Sequence, residues 1–314
     1  MPPRYTLGID LGGTTTTLGV IGPNAEVVWE QGFPTPREVG FDVFTARVAA
    51  AAETARAVFP FDAAGVAVAA QIDAARGVIL TSPNLPWENV PVVAVFKAAL
   101  GVPVVAENDV NAAAYGEYLA DADRRDPFLV VFVGTGVGSG IIARGDLFRG
   151  ADGFAAEIGH VPVVAAGGER CGCGRYGCLE AYAGGRGILR RASAEGATYD
   201  AVDDVVFAAA AGNDHCRQVL EDAASYLGVA LAGAVNLLNP ATVVIGGGVA
   251  RAWPPLRELA AARMRVSALA VSLAKLRLRA STLGTQAGIV GVAALARRRA
   301  DEAPAGHPAA FNGA

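Results

Sequence analysis

Residues 5–21, YTLGIDLGGTTTTLGVI, decide the fold class of this chain. Residues 5–10 predict a strand that runs into a Gly-Gly turn, and residues 14–21 predict a second, β-branched strand. A Pro-Asn turn then separates this strand from a third at residues 27–31. Because no helix lies between these strands, the chain opens with a β-meander and not with a strand–helix–strand unit.

The same opening recurs later in the chain. Residues 41–59 predict an alanine-rich helix, residues 66–70 and 102–106 predict short strands, and residues 111–119 predict another helix. Residues 128–133 and 139–143 then form a second pair of strands around the glycine-rich turn at 134–138. This repetition predicts two related α/β lobes that face a cleft.

The predicted boundaries follow from that repetition. An N-terminal α/β lobe spans residues 1–113 and is completed by a C-terminal helix at 286–300. A C-terminal α/β lobe spans residues 114–285 and carries a metal-binding insertion at 160–180. Residues 301–314, rich in Ala, Pro and Gly without periodicity, predict a frayed tail.

Composition and charge narrow the class of protein. The chain has 314 residues, of which 53% are hydrophobic, so it is long and apolar enough for more than one buried core. A formal net charge of -4 and a pI near 5.5 argue against a broad nucleic-acid-binding face. The short basic run at 297–299 indicates a solvated helix end.

Targeting signals and membrane spans are not expected. No apolar stretch of 18 residues runs without charges or turn residues. The first ten residues place Asp10 and a glycine turn where a secretory signal needs a basic patch and an apolar core. We therefore predict a cytoplasmic protein without a membrane partner.

Three of the four cysteines lie within eight residues of one another. With one histidine nearby they form a donor set that suits a closed, structural zinc site: His160, Cys171, Cys173 and Cys178. The alternative is a group of free buried thiols, although Cys171 and Cys173 are too close in sequence to pair easily. Cys216 lies outside the cluster and is interpreted as an ordinary buried thiol.

Three glycine turns follow predicted strands and are candidates for binding phosphate or nucleotide. Their residues are Asp10, Gly12, Gly13 and Thr14; Gly134 and Thr135; and Gly246, Gly247 and Gly248. Any one of them alone is also explained as a simple tight turn. The turn at 134–140 fits neither a Walker loop nor a dinucleotide fingerprint, because no helix pattern directly follows it.

The segment ENDVN, residues 107–111, follows the strand at 102–106 and so places polar groups where α/β proteins usually bind ligands. Asp109 is a candidate to accept a proton from an attacking hydroxyl. The plainer alternative is that Asn108 or Asp109 only caps the following helix. Both roles are compatible if one residue caps and the other catalyses.

These elements, in this order, resemble the ROK (repressor, open reading frame, kinase) family of sugar kinases and regulators. The most specific parts of the resemblance are residues 134–160, which are similar to the family signature, and CGCGRYGCLE at 171–180, which is similar to its zinc motif. The resemblance implies a two-lobed α/β fold of the actin-like ATPase (ribonuclease H-like) type. It also implies a homodimer or homotetramer.

Residue roles are implied by the same resemblance. Asp109 is the general base, and the sugar hydroxyls are held by Asn84, Asn108, Glu157, His160 and Glu180. Asp10 orients Mg²⁺, the first two glycine turns hold the phosphates of ATP, and Gly246–Gly248 lie near adenosine. His160 serves zinc with one ring nitrogen and sugar with the other.

Three departures from the family pattern are visible. Thr15 stands where a lysine is common, and Ala156 stands where a glycine is common before Glu-x-Gly-His. The segment AAQID at 69–73 replaces a glycine-containing loop that is expected to border the sugar. None of these changes removes a catalytic group, but the last bears on substrate identity.

The resemblance favours an enzyme over a repressor. The family's repressors carry a helix-turn-helix domain before the first phosphate turn, whereas nine residues precede Asp10 here. The expected reaction is ATP-dependent phosphorylation of a free hexose, with glucose at its 6-hydroxyl as the first candidate. Mannose, fructose, N-acetylglucosamine and N-acetylmannosamine are the alternative substrates, and a non-catalytic sugar sensor or regulator is the alternative class.

Overall fold

The computed structural model describes residues 4–36, 38–82, 85–193 and 196–302. The chain folds into two compact units. One comprises the described residues of Met1–Gly116 and Gln286–Ala314, and the other is Glu117–Thr285. Among the described helices, none combines the length and the apolar character that spanning a bilayer requires.

The first unit is built on a five-stranded mixed sheet with the order β3-β2-β1-β4-β8. The strands are β1 (Tyr5–Leu11), β2 (Thr15–Ile21), β3 (Val27–Pro34), β4 (Phe61–Val68) and β8 (Val104–Asn108). The first three are antiparallel, which confirms the predicted meander, whereas β1, β4 and β8 are parallel. A small antiparallel sheet adds β5 (Gln71–Asp73), β6 (Val78–Thr81) and β7 (Glu88–Val90).

Helices cover both faces of the larger sheet in this unit. They are α1 (Phe41–Arg56), α2 (Val92–Leu100), α3 (Asp109–Ala120, whose last residues belong to the other unit) and α11 (Ala287–Glu302). Successive residues of β4 alternate between faces: Val66 and Val68 pack in the core with α1 and α2, and Ala67 packs with Val292 of α11. Glycine makes the second contact possible, because a Cβ on Gly65 would lie 2.2 Å from the Val292 carbonyl oxygen.

The second unit repeats the sheet order of the first. Its strands are β9 (Phe128–Val133), β10 (Val137–Ala143), β11 (Asp146–Leu147), β12 (Thr242–Gly246) and β13 (Arg277–Ala280), in the order β11-β10-β9-β12-β13. Strands β9, β10 and β11 are antiparallel, and β9, β12 and β13 are parallel. The repetition seen in the sequence at the two glycine turns therefore extends to all five strands of each sheet.

Helices of the second unit pack mainly around one long helix. They are α4 (Glu180–Ala183), α5 (Gly185–Ala192), α6 (Val202–Ala210), α7 (Asp214–Leu238), α8 (Gly248–Ala252), α9 (Pro255–Ser267) and α10 (Ala270–Leu273). Single 3-10 turns occur at Ile158–His160 and Gly284–Gln286. Buried residues along α7, including Leu220, Leu227 and Leu231, form the centre of this unit's core.

Several predicted boundaries need correction. The strand predicted at 66–70 is β4, which begins at Phe61, and the strand predicted at 102–106 ends two residues later, at Asn108. The first helix ends at Arg56, and the helix predicted at 111–119 begins at Asp109. Residues 62–65 (Asp-Ala-Ala-Gly) have little strand propensity, but pairing overrides it: Ala63 pairs with β1, and Ala64 and Gly65 pair with β1 and β8 in the middle of the sheet.

The predicted C-terminal tail falls partly outside the structure. Asp301 and Glu302 still belong to α11, which extends the predicted helix by two residues. Residues 303–314 lie outside the described residues. Asn84, the predicted sugar-contacting residue, also lies outside them.

Candidate active site

The first group of predicted site residues lies at the carboxyl edge of the parallel strands in the first unit. Strand β4 pairs with β1 on one side and with β8 on the other, so Leu11, Val68 and Asn108 are in register. Asp10 precedes Leu11 at the end of β1, and Asp109 follows Asn108 directly as the first residue of α3. The fold therefore brings Asp10, Asn108 and Asp109 to the same edge of one sheet.

Asn108 caps α3 and at the same time holds Asp109. Its Oδ1 accepts hydrogen bonds from the Val110 and Asn111 amides at 3.0 and 3.1 Å. Its Nδ2 donates to Asp109 Oδ1 at 3.0 Å and to the Ala70 carbonyl at 3.3 Å. An asparagine amide has two donor hydrogens and two acceptor lone pairs, so all four of its positions are used within the protein. Of the two residues considered for the cap, Asn108 is the one that supplies it.

Glu107 is a supporting residue that the sequence analysis did not single out. Its side chain is buried, and its Oε1 accepts from the Asn108 amide at 3.1 Å and from Asn111 Nδ2 at 3.2 Å. The ENDVN stretch thus contains two side chains, of Glu107 and Asn111, that hold the cap in place. The signal was present in the sequence, because a buried strand that ends on an acidic residue needs a donor for that carboxylate.

Asp10 is held in an environment that disfavours its charge. Burial, and secondly the negative charge of Asp109, raise its pKa from the ordinary 3.8 to about 7. Gly288 at the start of α11 comes so close that a Cβ there would lie 2.7 Å from Asp10 Oδ2. Asp10 is half-buried, and a carboxylate in such a place is well suited to interact with a cation, which offsets the cost of its charge.

This raised pKa predicts a pH-dependent effect of replacing Asp10. The folded protein holds an extra proton between about pH 4 and pH 7, so the free energy of unfolding falls as the pH rises through this window. Asp10→Asn removes that cost. At pH 8 it should raise the free energy of unfolding by on the order of 1.4 kcal/mol per pKa unit, and the melting temperature with it. The difference from the parent protein should shrink toward pH 5. Thermal melts from pH 5 to 8 measure this.

The matched control for that experiment is Asp152→Asn, at an exposed position of the other unit. It should leave the difference between pH 5 and pH 8 as in the parent protein. A melting temperature of Asp10→Asn at or below that of the parent at pH 8 contradicts the assignment of a costly charge to this side chain.

The first glycine turn, between β1 and β2, is held by a threonine that follows the end of β3. The Gly12 amide donates to the Thr15 carbonyl at 3.1 Å, and a Cβ on Gly12 would lie 2.7 Å from that oxygen. Thr35 Oγ1 donates to the Gly12 carbonyl at 2.8 Å, and the Thr35 amide donates to the Thr14 carbonyl at 2.8 Å. Thr35 was not predicted, since it is distant in sequence from the turn.

The second unit carries the other two glycine turns side by side. The Gly134 amide donates to the Gly136 carbonyl at 2.9 Å and so closes the turn itself. Among the described residues, neither the Thr135 amide nor the Gly136 amide has a hydrogen-bond acceptor. These two amides, and not that of Gly134, are the turn's available donors for a phosphate.

The turn after β12 lies next to the end of β9. Gly247 has a φ of 98°, and a Cβ there would lie 2.3 Å from the Val133 carbonyl oxygen. Gly246 pairs with Phe132 across the parallel strands, and Gly248 begins α8. The predicted adenosine-side residues and the predicted phosphate turn are therefore neighbours within one unit.

Three further predicted sugar contacts, Glu157, His160 and Glu180, also lie in this unit. Burial raises the pKa of Glu157, with His160 opposing this shift and Glu180 adding to it. Cys171 Sγ lies 3.8 Å from His160 Nδ1 and 3.7 Å from Glu180 Oε1, so the His160 and Glu180 side chains meet at the same cysteine. Glu180 Oε2 additionally accepts a hydrogen bond from the Val137 amide at 3.1 Å.

Ala156, one of the departures from the family pattern, adopts a φ of 71°. This left-handed conformation favours glycine because a Cβ crowds the backbone there, at a cost of about 1–2 kcal/mol. The structure therefore explains why glycine is common at this position. Alanine at position 156 therefore adds backbone strain, and Glu157 still follows it in the sequence.

The predicted zinc ligands converge on one point. The donor atoms of His160, Cys171, Cys173 and Cys178 all lie within 4.8 Å of one another. Cys171 Sγ is 3.8 Å from His160 Nδ1, and Cys173 Sγ is 3.8 Å from Cys178 Sγ. Tetrahedral zinc with bonds of about 2.3 Å to sulfur and about 2.0 Å to nitrogen separates two sulfurs by about 3.8 Å and sulfur from nitrogen by about 3.5 Å.

The chemistry of the donor set agrees with these distances. Burial raises the pKa of the Cys171 and Cys178 thiols, so their thiolates need a neighbouring cation. His160 turns Nδ1 toward the sulfurs, which leaves Nε2 for another partner. Cys216 lies outside the cluster, as predicted: it is buried, and its Sγ is 3.2 Å from Tyr199 Oη. The four residues therefore fit a structural zinc ion.

Comparison with known proteins identifies the family. The sequence profile of the ROK family matches residues 6–299. A glucokinase of Halalkalibacterium halodurans is 34% identical over 312 residues, which covers 93% of this chain and 94% of that protein.

Two solved structures have the same fold. A ROK family glucokinase from Streptomyces griseus, in complex with glucose and AMPPNP, has a TM-score of 0.79 and 31% identity and covers 94% of this chain and 99% of its own. A ROK hexokinase from Thermus thermophilus has a TM-score of 0.82 and 32% identity, with coverages of 96% and 100%. These matches confirm the predicted α/β fold of the actin-like ATPase type, and the chain belongs to the ROK family.

Proposed function

We propose that this chain is an ATP-dependent sugar kinase that phosphorylates a free hexose, with glucose, at its 6-hydroxyl, as the leading substrate. The observation that carries the proposal is the Asp109 carboxylate, held by Asn108 at the carboxyl edge of the first unit's sheet. The similarity to glucokinases over most of the chain supports the substrate class.

Asp109 acts as the general base in this proposal. The sugar hydroxyl oxygen attacks the γ-phosphorus, the bond from that phosphorus to the bridging oxygen of ADP breaks, and the hydroxyl proton passes to the Asp109 carboxylate. The hydrogen bond from Asn108 Nδ2 to Oδ1 fixes the orientation of that carboxylate. A base that is already oriented lowers the activation barrier, because no entropy has to be lost to orient it during the reaction.

The remaining site residues bind and orient Mg²⁺, ATP and the sugar. Asp10 helps to hold Mg²⁺, which when bound neutralises charge on the transferred phosphoryl group. Gly12–Thr14 and the turn at Gly134-Thr135 hold the phosphates, and Gly246–Gly248 lie near adenosine. Asn84, Glu157, His160 and Glu180 hold the sugar's other hydroxyls, and the four zinc ligands fix the positions of the His160 and Glu180 segments. The hydrogen-bonding positions of Asn108 are used within the protein, so Asn108 acts here by holding Asp109 and not by contacting the sugar.

A coupled assay of ADP release across a hexose panel tests the proposal. We expect release that depends on both ATP and sugar, fastest with glucose, and formation of one sugar phosphate per ADP. Mannose, fructose, N-acetylglucosamine and N-acetylmannosamine are the competing substrates, and a reaction without sugar measures background hydrolysis. Sugar-independent ADP release, or none with any of these hexoses, rules the proposal out.

The segment at residues 69–73 is where substrate preference should be sought first, and its last three residues form β5 and not the expected loop. The Ala69 carbonyl accepts from Ser82 Oγ at 3.0 Å, and the Ala70 carbonyl accepts from Asn108 Nδ2 at 3.3 Å. This segment is therefore hydrogen-bonded to Asn108, the capping residue that also holds the proposed base.

A further inference from the structure

We infer that the metal site formed by His160, Cys171, Cys173 and Cys178 also affects the affinity for nucleotide. It does so because Gly159 and Glu180, which neighbour its ligands in sequence, hold the phosphate turn, residues 134–138. The inference rests on the proposed function, which assigns this turn to the phosphates of ATP. It gives Glu180 a role as a positioning residue for the nucleotide, in addition to its proposed contact with sugar. The contacts that support it lie on the two sides of one residue of the turn, Val137.

The amide side of Val137 is held by Glu180. The Val137 N–H donates to Glu180 Oε2 at 3.1 Å, a charge-assisted bond to the backbone of the turn. A Cβ on the preceding Gly136 would lie 2.2 Å from the same carboxylate oxygen. Glu180 therefore packs directly against the turn, and glycine at 136 gives it the space.

The carbonyl side of Val137 is held by the residue before a zinc ligand. A Cβ on Gly159 would lie 2.0 Å from the Val137 carbonyl oxygen, so only glycine allows the 3-10 turn Ile158–His160 to approach this closely. Gly159 is followed by His160, and Glu180 lies two residues after Cys178. Each side of Val137 thus contacts a neighbour of a metal ligand.

The two metal-ligand segments are also joined to each other. The Leu179 amide donates to the Val161 carbonyl at 3.0 Å, and the Ala181 amide donates to the Cys178 carbonyl at 3.0 Å at the start of α4. One ion bound by His160 and Cys178 links both segments at their ligand ends. These contacts form a frame around the turn, which an ion held by His160, Cys171, Cys173 and Cys178 would complete and which its removal would loosen.

The start of α5 extends this frame to the rest of the turn. The Gly185 amide donates to the Gly134 carbonyl at 2.8 Å, and the Arg186 amide donates to the Thr135 carbonyl at 3.1 Å. With these carbonyls fixed, the Thr135 and Gly136 amides keep the orientation that a phosphate oxygen requires. A displaced frame should therefore weaken nucleotide binding even when no sugar is present.

The first experiment compares the metal-loaded and the metal-free protein. Metal is stripped with a chelator that is then dialysed away, and the affinity for Mg²⁺-AMPPNP is measured by calorimetry without sugar. We expect affinity to fall by about tenfold or more on metal removal, the size of effect typical for groups that support a site without touching its ligand. Affinity should return when Zn²⁺ is added. Hydrogen exchange of the Val137 amide, which is bonded to Glu180, should accelerate in parallel.

A variant keeps the test valid if metal-free protein unfolds. Glu180→Ala should retain its metal and lose about tenfold in AMPPNP affinity. Glu180→Gln should bind nearly as the parent does, because its side-chain oxygen still accepts from Val137 N–H. Glu169→Ala is the matched control: this exposed residue of the same insertion pairs with Arg190 and not with the turn.

The possible outcomes separate this inference from the proposed function. If the parent protein binds AMPPNP but neither metal removal nor Glu180→Ala changes the affinity or the amide exchange, the coupling is wrong and the kinase proposal stands. If the parent protein does not bind AMPPNP, the nucleotide assignment of the turn fails, and the inference fails with it.

Discussion

Replacement of Asp109 by Asn should lower kcat for hexose phosphorylation by about 10²–10⁴-fold, the range that general-base catalysis typically supplies. The amide at position 109 has nearly the shape of the carboxylate but cannot take the hydroxyl proton. Its oxygen can still accept the hydrogen bond that Asn108 Nδ2 now makes to Asp109 Oδ1. Sugar affinity, measured by calorimetry, should therefore change far less than kcat.

A second readout follows from the electrostatics of the same edge. The charge of Asp109 contributes to raising the pKa of Asp10, so Asp109→Asn should lower that pKa toward its ordinary value. NMR titration of the Asp10 carboxyl measures the change. A catalytic role alone predicts the loss of kcat, and proximity to Asp10 alone predicts the shift in pKa; the structure predicts both.

The control for this variant is Asp62→Asn. Asp62 lies at the amino end of β4, pairs with Arg4 at the surface and should tolerate the same chemical change without loss of turnover. Near-parental kcat for Asp109→Asn would falsify the assignment of the general base. A large loss of kcat in both variants would instead indicate a general loss of folded protein.

Replacement of Cys178 by Ser should remove the metal and much of the second unit's stability. Cys178 is 1% exposed and is one of four donors within 4.8 Å of one another. A serine hydroxyl is a poor zinc ligand at neutral pH, and metal-binding free energy in such sites contributes directly to folding. We expect metal content to fall from about one ion per chain to near zero.

Loss of that ion should also lower the melting temperature by about 10 °C, which corresponds to about 3 kcal/mol for a domain of this size. Elemental analysis and thermal melts of the purified variant measure the two effects. Added Zn²⁺ should stabilise the parent protein after metal removal but should not rescue Cys178→Ser, because one of the four ligands is gone.

Cys216→Ser is the matched control, since it makes the same substitution at a buried cysteine of the same unit. Cys216 lies beside Tyr199 and outside the cluster, so the metal content should be that of the parent. A parent protein that carries no metal, or a Cys178→Ser protein that keeps its full metal content, contradicts the structural zinc site.

Local patterns predicted much of the fold. The meander of β1 to β3 and the hairpin of β9 and β10 follow from alternating or β-branched residues around glycine turns, which are properties of adjacent residues. The start of β4 did not follow, because Ala63 to Gly65 form a strand only through pairing with β1 and, from Ala64, with β8. The small sheet of β5, β6 and β7 was also missed, since its strands are three or four residues long.

The candidate site shows the same division. The ENDVN segment identified Asn108 and Asp109 but left open which of them caps α3, and the structure assigns the cap to Asn108. Ala156 was noticed as a departure from a family glycine, and its φ of 71° supplied the physical reason. The local sequence was enough to identify these residues. Their structural roles became clear only from their backbone conformation and hydrogen-bond partners.

The sequence by itself determined the donor set of the metal site, the glycine turns and the acidic residue after β8, because each depends on residue types at short spacing. Only the tertiary structure decided that Asp10 lies half-buried near Asp109, that Thr35 holds the first turn and that Glu180 holds the second. These contacts join residues 23 to 99 positions apart, and their formation depends on how the strands and helices pack, which short-range patterns do not encode.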